Sequence, residues 1–176
     1  MSGFSRTAAF PDLIVGESKV SGRGVFSGRR YSSGEVILEF QGWLYTPAEL
    51  PIPYVEDCFL QVGPDLFLGP SDQPETPDSL VNHSCDPNAA VVIKPDGRIL
   101  MMAIRPIEPL DEITYDYSVT MAGDPWTMDC RCGSPRCRKL IREYRTLPPE
   151  VKARYRWIHV VPPYVIAGDL PPAPPS

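Results

Sequence analysis

Asn82-His83-Ser84-Cys85-Asp86-Pro87-Asn88 is the stretch on which the reading of this chain turns. It holds one of only two histidines, a cysteine, two asparagines and a proline. Such residues do not build an apolar core. They bond through short polar side chains, bind metal or fix a turn. Leu80-Val81 precedes the stretch and Ala89-Ala90-Val91-Val92-Ile93 follows it. Flanked by these apolar runs, it is expected to be held inside the fold. Asn82 and His83 can offer polar groups to a flat ligand, Cys85 can reach a metal, and Asp86-Pro87-Asn88 should turn the chain out again.

Working outward, 89–93 and 98–104 read as two strands joined by the turn Lys94-Pro95-Asp96-Gly97. Glu112-Ile113-Thr114-Tyr115-Asp116-Tyr117 reads as a strand. Its alternation puts Ile113, Tyr115 and Tyr117 on one face and Glu112, Thr114 and Asp116 on the other. Upstream, 13–15 and 35–40 read as strands, and Trp43 and Tyr45 continue the β character. Ser21-Gly22-Arg23-Gly24-Val25-Phe26 makes a tight turn whose backbone can approach a ligand. Thr46-Pro47-Ala48-Glu49 starts a capped helix that Pro51 and Pro53 limit to about one turn. A hairpin is expected over 58–62 and 66–68, and a helix from Pro148-Pro149-Glu150 to Trp157. Residues 1–11 are expected to be a loose arm, and the proline-rich tail from 162 extended or disordered.

Twenty-two prolines against 13 glycines favour short strands and irregular connections. The expected fold is mainly β. At 176 residues it is one domain with room for a small appendage. No apolar run approaches the ~18 residues of a membrane span, and the N-terminus lacks the apolar core of a signal peptide. The chain is therefore read as intracellular, with no membrane partner. The net charge of −5 disfavours direct nucleic-acid binding and suits a basic peptide.

Five cysteines, an odd number without a secretion signal, argue against a disulfide framework. Cys130-x-Cys132-x4-Cys137 crowds three thiols into eight residues, a density that favours zinc. The fourth ligand must come from elsewhere, and Cys85, Cys58, His83 and His159 are the candidates. Cys85 is preferred because it lies in the opening heptapeptide. Four sulfurs would make a structural site, stapling the C-terminal segment over that loop.

Gly22-Arg23-Gly24-Val25-Phe26, the heptapeptide from Asn82, the 112–117 segment and Cys130-Arg131-Cys132-Gly133 through Cys137, in this order, resemble the SET-domain methyltransferases. The resemblance covers roughly 12–140. It implies a fold of short curved sheets with a pseudoknot, and methyl transfer from S-adenosylmethionine to a protein lysine. It further implies a SET domain at 12–121 and a post-SET zinc segment at 122–140, after which the helix read from Pro148 places a helical extension at 141–161. No cysteine-rich segment precedes the core, so a minimal form is expected, of a kind also seen in bacteria. The location implied is cytoplasmic in a bacterium and nuclear or chromatin-bound in a eukaryote.

By the same resemblance Gly22, Arg23, Gly24, Asn82 and His83 hold the cofactor, and Trp126 is placed over its adenine or in the core beneath the lid. Tyr117 matches the catalytic tyrosine and Tyr115 the position that tunes how many methyls are added. Cys85, Cys130, Cys132 and Cys137 match the zinc ligands. One departure concerns Cys58, which aligns where many members carry a tyrosine lining the lysine channel; the nearest here is Tyr54. His83 reads better as a structural or cofactor-binding residue than as a general base. Two other readings compete: a catalytically inactive SET-like module that binds a peptide or partner, and a zinc-stapled interaction protein. The latter would touch nucleic acid through Arg131, Arg136, Arg138, Lys139 and Arg142.

Overall fold

The computed structural model describes residues 5–7, 10–50, 59–70, 76–123 and 126–169. Tyr54 and Cys58, and with them the channel question, lie outside these residues. In chain order the strands are β1 (Ser5–Thr7), β2 (Phe10–Glu17), β3 (Arg23–Ser27), β4 (Val36–Glu39), β5 (Trp43–Tyr45), β6 (Leu60–Gly63), β7 (Leu66–Gly69), β8 (Asn82–His83), β9 (Ala89–Ile93), β10 (Ile99–Ala103), β11 (Glu112–Tyr115), β12 (Met128–Asp129) and β13 (Leu140–Ile141). Helices α1 (Pro149–Trp157) and α2 (Pro163–Asp169) follow. The mainly β expectation holds.

The strands form small sheets. The largest has the order β1-β2-β3-β11-β8, and the others are β4-β10-β9, β5-β7-β6 and β12-β13. The β9–β10 hairpin pairs in unbroken register, Met101 opposite Val91, around the Lys94–Gly97 turn. In the first sheet Ile113 of β11 lies opposite Val25 of β3. On its other edge β11 runs parallel to β8, with Thr114 opposite Asn82 and Tyr115 opposite His83. That parallel pairing brings the heptapeptide to the 112–117 segment.

Leu13, Val25, Tyr31, Met101, Ile107 and Ile113 anchor the main core at 0–2% exposure. Each such side chain contributes roughly 1.5–3 kcal/mol of burial. A second core gathers Val119, Tyr144, Leu147, Tyr155, Val161 and Val165 beneath the two helices. A third, small one surrounds Cys85, Cys130 and Ile141.

Three expectations are corrected. Ser5–Thr7, expected in a loose arm, forms β1 on the edge of the first sheet, because β2 extends to Phe10 and offers it a ladder. Pro163–Asp169, expected in an extended tail, forms α2. Proline is favourable at a helix start, and α2 buries Val165 while Lys152 and Arg156 of α1 hold Asp169 at 2.5 and 2.6 Å. The strand expected over 112–117 ends at Tyr115, and Tyr117–Thr120 is a 3-10 turn. Asp116 starts that turn by accepting the Ser118 N–H. The Thr46–Glu49 box closes on the single turn expected, with Thr46 N donating to the Glu49 carboxylate at 2.8 Å.

Candidate active site

The Gly22-Arg23-Gly24 turn is shaped by two different constraints. Gly22 has φ +44°, a left-handed conformation that a side chain disfavours. Gly24 is needed for space. A β-carbon there would fall on the Glu112 carboxylate and within 3.0 Å of Asn82 Nδ2 and Ser18 Cβ. These three side chains form one network. Ser18 Oγ donates to Glu112 Oε1 at 2.7 Å. Asn82 Nδ2 reaches the same oxygen at 2.9 Å, Arg23 O at 3.0 Å and Ser21 O at 3.2 Å. Asn82 thus holds the glycine turn against β11.

Asn88 does the same on the other side of β11. Its Nδ2 donates to Glu112 O and its Oδ1 accepts from Thr114 N, both at 2.9 Å. Ser84 N adds a bond to Tyr115 O at 3.0 Å. The Asn88 amide thus satisfies two backbone groups of β11 that its strand neighbours leave open.

His83 is 3% exposed. Burial lowers its pKa to about 4 despite the nearby Asp116 carboxylate, so the ring is neutral at pH 7. Its Nδ1 accepts from Tyr117 N at 3.2 Å, which leaves Nε2 carrying the hydrogen towards Cys85 Sγ at 3.3 Å. This tautomer makes the 3.7 Å approach of Asp116 a contact and not an ion pair. A ring with both nitrogens engaged is a strut between the Tyr117 backbone and Cys85.

Tyr117 leaves the strand yet stays beside Tyr115, with ring centroids 4.7 Å apart. The Tyr117 hydroxyl donates to Val81 O at 2.9 Å, so its lone pairs face away from that carbonyl as acceptors. Burial raises the Tyr115 hydroxyl well above the ordinary tyrosine range, so it stays protonated.

The four sulfurs of Cys85, Cys130, Cys132 and Cys137 lie within 4.8 Å of one another. Cys85 and Cys130 are 3.6 Å apart, too far for a disulfide and close to the roughly 3.8 Å edge of a zinc–thiolate tetrahedron. Burial pushes the Cys85 thiol up to about 11 and Cys130 higher still. At Cys132 burial acts the same way, but hydrogen bonds from the backbone at Cys85 and Ser134 outweigh it and bring the thiol down to about 7. Four clustered thiolates, two buried and two half-buried, need a cation among them, and this donor set suits zinc.

Sequence reasoning missed the carboxylate beside this cluster. Asp116 has a side chain 0% exposed. Arg138 grips it with both nitrogens, Nη1 to Oδ2 at 2.8 Å and Nη2 to Oδ1 at 2.7 Å. Tyr155 of α1 donates its hydroxyl to Oδ2 at 3.0 Å. Arg138 therefore leaves the basic patch assigned to it and turns inward, while Arg131, Arg136, Lys139 and Arg142 are exposed. Nothing local in the sequence marks Arg138. Ser18 and Glu112 were missed too, though Ser18 carries a cue: its Oγ accepts from Val20 N at 2.9 Å, a two-residue turn typical of serine.

A cleft of about 640 Å³ runs between these parts. Gly22, Arg23, Asn82, His83 and Tyr117 line it, together with Cys130, Cys132 and Arg131 of the zinc segment. Gly24 lies behind the wall, and Trp126 packs half-buried against the cysteine cluster with Met128 and Ile141. The cleft also takes in Ser79, Leu80 and Met128, which have no sequence signature.

Comparison with known proteins matches residues 22–118 to the SET domain family model. Histone-lysine N-methyltransferase TRX1 of Oryza sativa subsp. japonica is 28% identical over 156 residues, covering 81% of this chain and 15% of the rice protein. Histone H3-lysine(4) N-trimethyltransferase ATX1 of Arabidopsis thaliana is 28% identical over 142 residues, covering 74% of this chain and 13% of its own length. The chain thus spans a small part of these relatives. KRYPTONITE, solved with mCHH DNA, an H3(1-15) peptide and SAH, superposes with a TM-score of 0.55 at 25% identity, covering 73% of this chain and 29% of that one.

Proposed function

The chain belongs to the SET-domain family, and on that premise we propose that it transfers a methyl group from S-adenosylmethionine to the side-chain amine of a protein lysine. One observation carries the reading. A single cleft joins the Gly22–Arg23 turn, Asn82 and His83 to Tyr117, whose hydroxyl is fixed on Val81 O.

The sulfonium cofactor supplies an electrophilic methyl when bound. The chain's residues supply place and orientation. Gly22 and Arg23 offer backbone groups at one end of the cleft, and Asn82 keeps that turn in position. Methyl transfer is a direct displacement, and holding donor and acceptor in line removes much of its entropic barrier. The nucleophile must be a neutral amine, although free lysine has a pKa of about 10.4. Burial disfavours its charged form. Tyr117, already donating to Val81, accepts from the amine through its hydroxyl oxygen, which fixes the direction of the nitrogen. His83, neutral and bonded at both nitrogens, supports the Tyr117 backbone and is no base.

The four cysteines hold a structural zinc ion that orders residues 128–141 against the cleft. The SET domain then spans 12–121, the zinc segment 122–140 and the extension 141–161. The names of the relatives point to a histone lysine, and so to chromatin in a eukaryotic cell. Between Arg30 and Lys94 the chain carries ten acidic residues and no lysine or arginine, a balance that complements a basic tail. Among the described residues no helix is long and apolar enough to cross a membrane.

The test incubates the protein with labelled S-adenosylmethionine, histones and a lysate, with Tyr117→Phe in parallel. Label on lysine that the variant abolishes supports the proposal. Cofactor binding with no transfer to any protein, at full zinc occupancy, overturns it in favour of an inactive binding module.

A further inference from the structure

We infer that Arg138 is a positioning residue that couples the cysteine centre to Tyr117 through the Asp116 carboxylate. This deepens the reading above and takes from it only the identities of the metal and the cofactor.

Arg138 touches both sites at once. It directly follows Cys137, and its backbone N–H donates to Cys85 Sγ at 3.3 Å. Its guanidinium holds both oxygens of Asp116 and also reaches Ser118 Oγ at 3.1 Å. A two-pronged grip fixes the plane of a carboxylate as well as its position. Asp116 is the residue before Tyr117 and caps the turn that carries it. Fixing the carboxylate plane therefore fixes the turn. Tyr155 adds a third bond from α1, so the extension beyond the family match braces the same point. The residue after Asp116 is tied to the same sulfur by a second route: Tyr117 N to His83 Nδ1, and His83 Nε2 to Cys85 Sγ.

Asp116 is fully enclosed and cannot trade its partners for water. A displaced Arg138 leaves a buried charge unpaired, and the turn must shift to relieve it. Metal loss frees the 137–138 peptide from Cys85 and so displaces Arg138. Tyr117 and His83 line the cleft, so metal and cofactor binding are linked. Such linkage is reciprocal: each ligand strengthens the other by the same factor.

The experiment measures zinc affinity of the full chain by competition with a chelator, with and without saturating S-adenosylhomocysteine. The wild type should hold zinc more tightly with it, by a factor of roughly 5 to 150. Asp116→Asn/Arg138→Gln removes both charges together and leaves no buried ion unpaired. In that variant, still binding one zinc, the factor should fall severalfold, to what the His83 route alone carries. Arg138→Lys keeps the charge but loses the fork, and Tyr155→Phe loses one bond. Each should give an intermediate factor, and they carry the test if the double variant does not fold. A wild-type factor of one overturns the inference, as does an undiminished factor in the variants. Coupling that persists without methyl transfer counts against the proposed reaction and leaves the strut standing. Failure of S-adenosylhomocysteine to bind the wild type overturns both.

Discussion

Two regions meet at Tyr117 and are built on different physics. The clasp between 82–88 and β11 is polar: the Asn82 and Asn88 amides and the Ser84 backbone N–H bond fixed partners. The cap formed by 140–169 is mostly apolar, with Tyr144, Tyr155 and Val165 each 1% exposed. A hydrogen bond across the clasp has one donor, one acceptor and one geometry. A core is satisfied by any apolar set that fills the volume. The clasp should therefore reject even small changes in chemistry, while the cap should tolerate apolar exchange except where Tyr155 and Arg138 reach Asp116.

The largest test removes the metal. Structural zinc contributes about 10 kcal/mol in small sites, so chelation should expose the segment around β12 and β13 while the β9–β10 hairpin keeps its protection. Hydrogen exchange would show this, and uniform loss of protection would erase the division into regions. Next, Asn88→Ala leaves Thr114 N and Glu112 O buried and unpaired, which should cost about 3 kcal/mol in urea unfolding. Tyr117→Phe should slow methyl transfer about 100-fold, a loss comparable to removing one oriented polar group at a reacting centre. It should lower stability by only about 1 kcal/mol; a rate within a fewfold of wild type would remove Tyr117 from the mechanism. Val165→Ala in the cap should cost about 2 kcal/mol, less than Asn88→Ala although Val165 is more deeply buried. The reverse order would sink the comparison. The smallest effect belongs to Tyr115→Phe. Among the described residues that hydroxyl makes no hydrogen bond, so stability should hardly change, while mass spectra should show more highly methylated products. Unchanged methyl states would deny Tyr115 a role in product choice.

The clasp was legible because its information is local. Short polar residues between apolar runs have few ways to satisfy their side chains, and the glycine turn, the asparagines and the cysteine spacing each limit backbone or ligand geometry. Tyr117 was read on a strand and lies in a 3-10 turn. Alternation extends the strand to 117, but Asp116 captures Ser118 N and ends it. Helix α2 was obscured by prolines that mark its start, since Pro163 sits at its first position. Arg138 could not be found at all. Among five basic residues within twelve positions it looks like its neighbours, and only the fold shows that it points inward at a buried carboxylate.

By itself, then, the amino-acid order determined the β architecture, the heptapeptide at its centre, the close spacing of Cys130, Cys132 and Cys137 and the neighbouring tyrosines. Each follows from backbone constraint or donor chemistry within a few residues. The tertiary structure decided what depends on distance in three dimensions: the tautomer of His83, the closure of Gly24 by Glu112, the helix behind Val165 and the convergence of Arg138 and Tyr155 on Asp116. Burial and partner geometry set these, and they arise only when segments far apart in the chain are packed together.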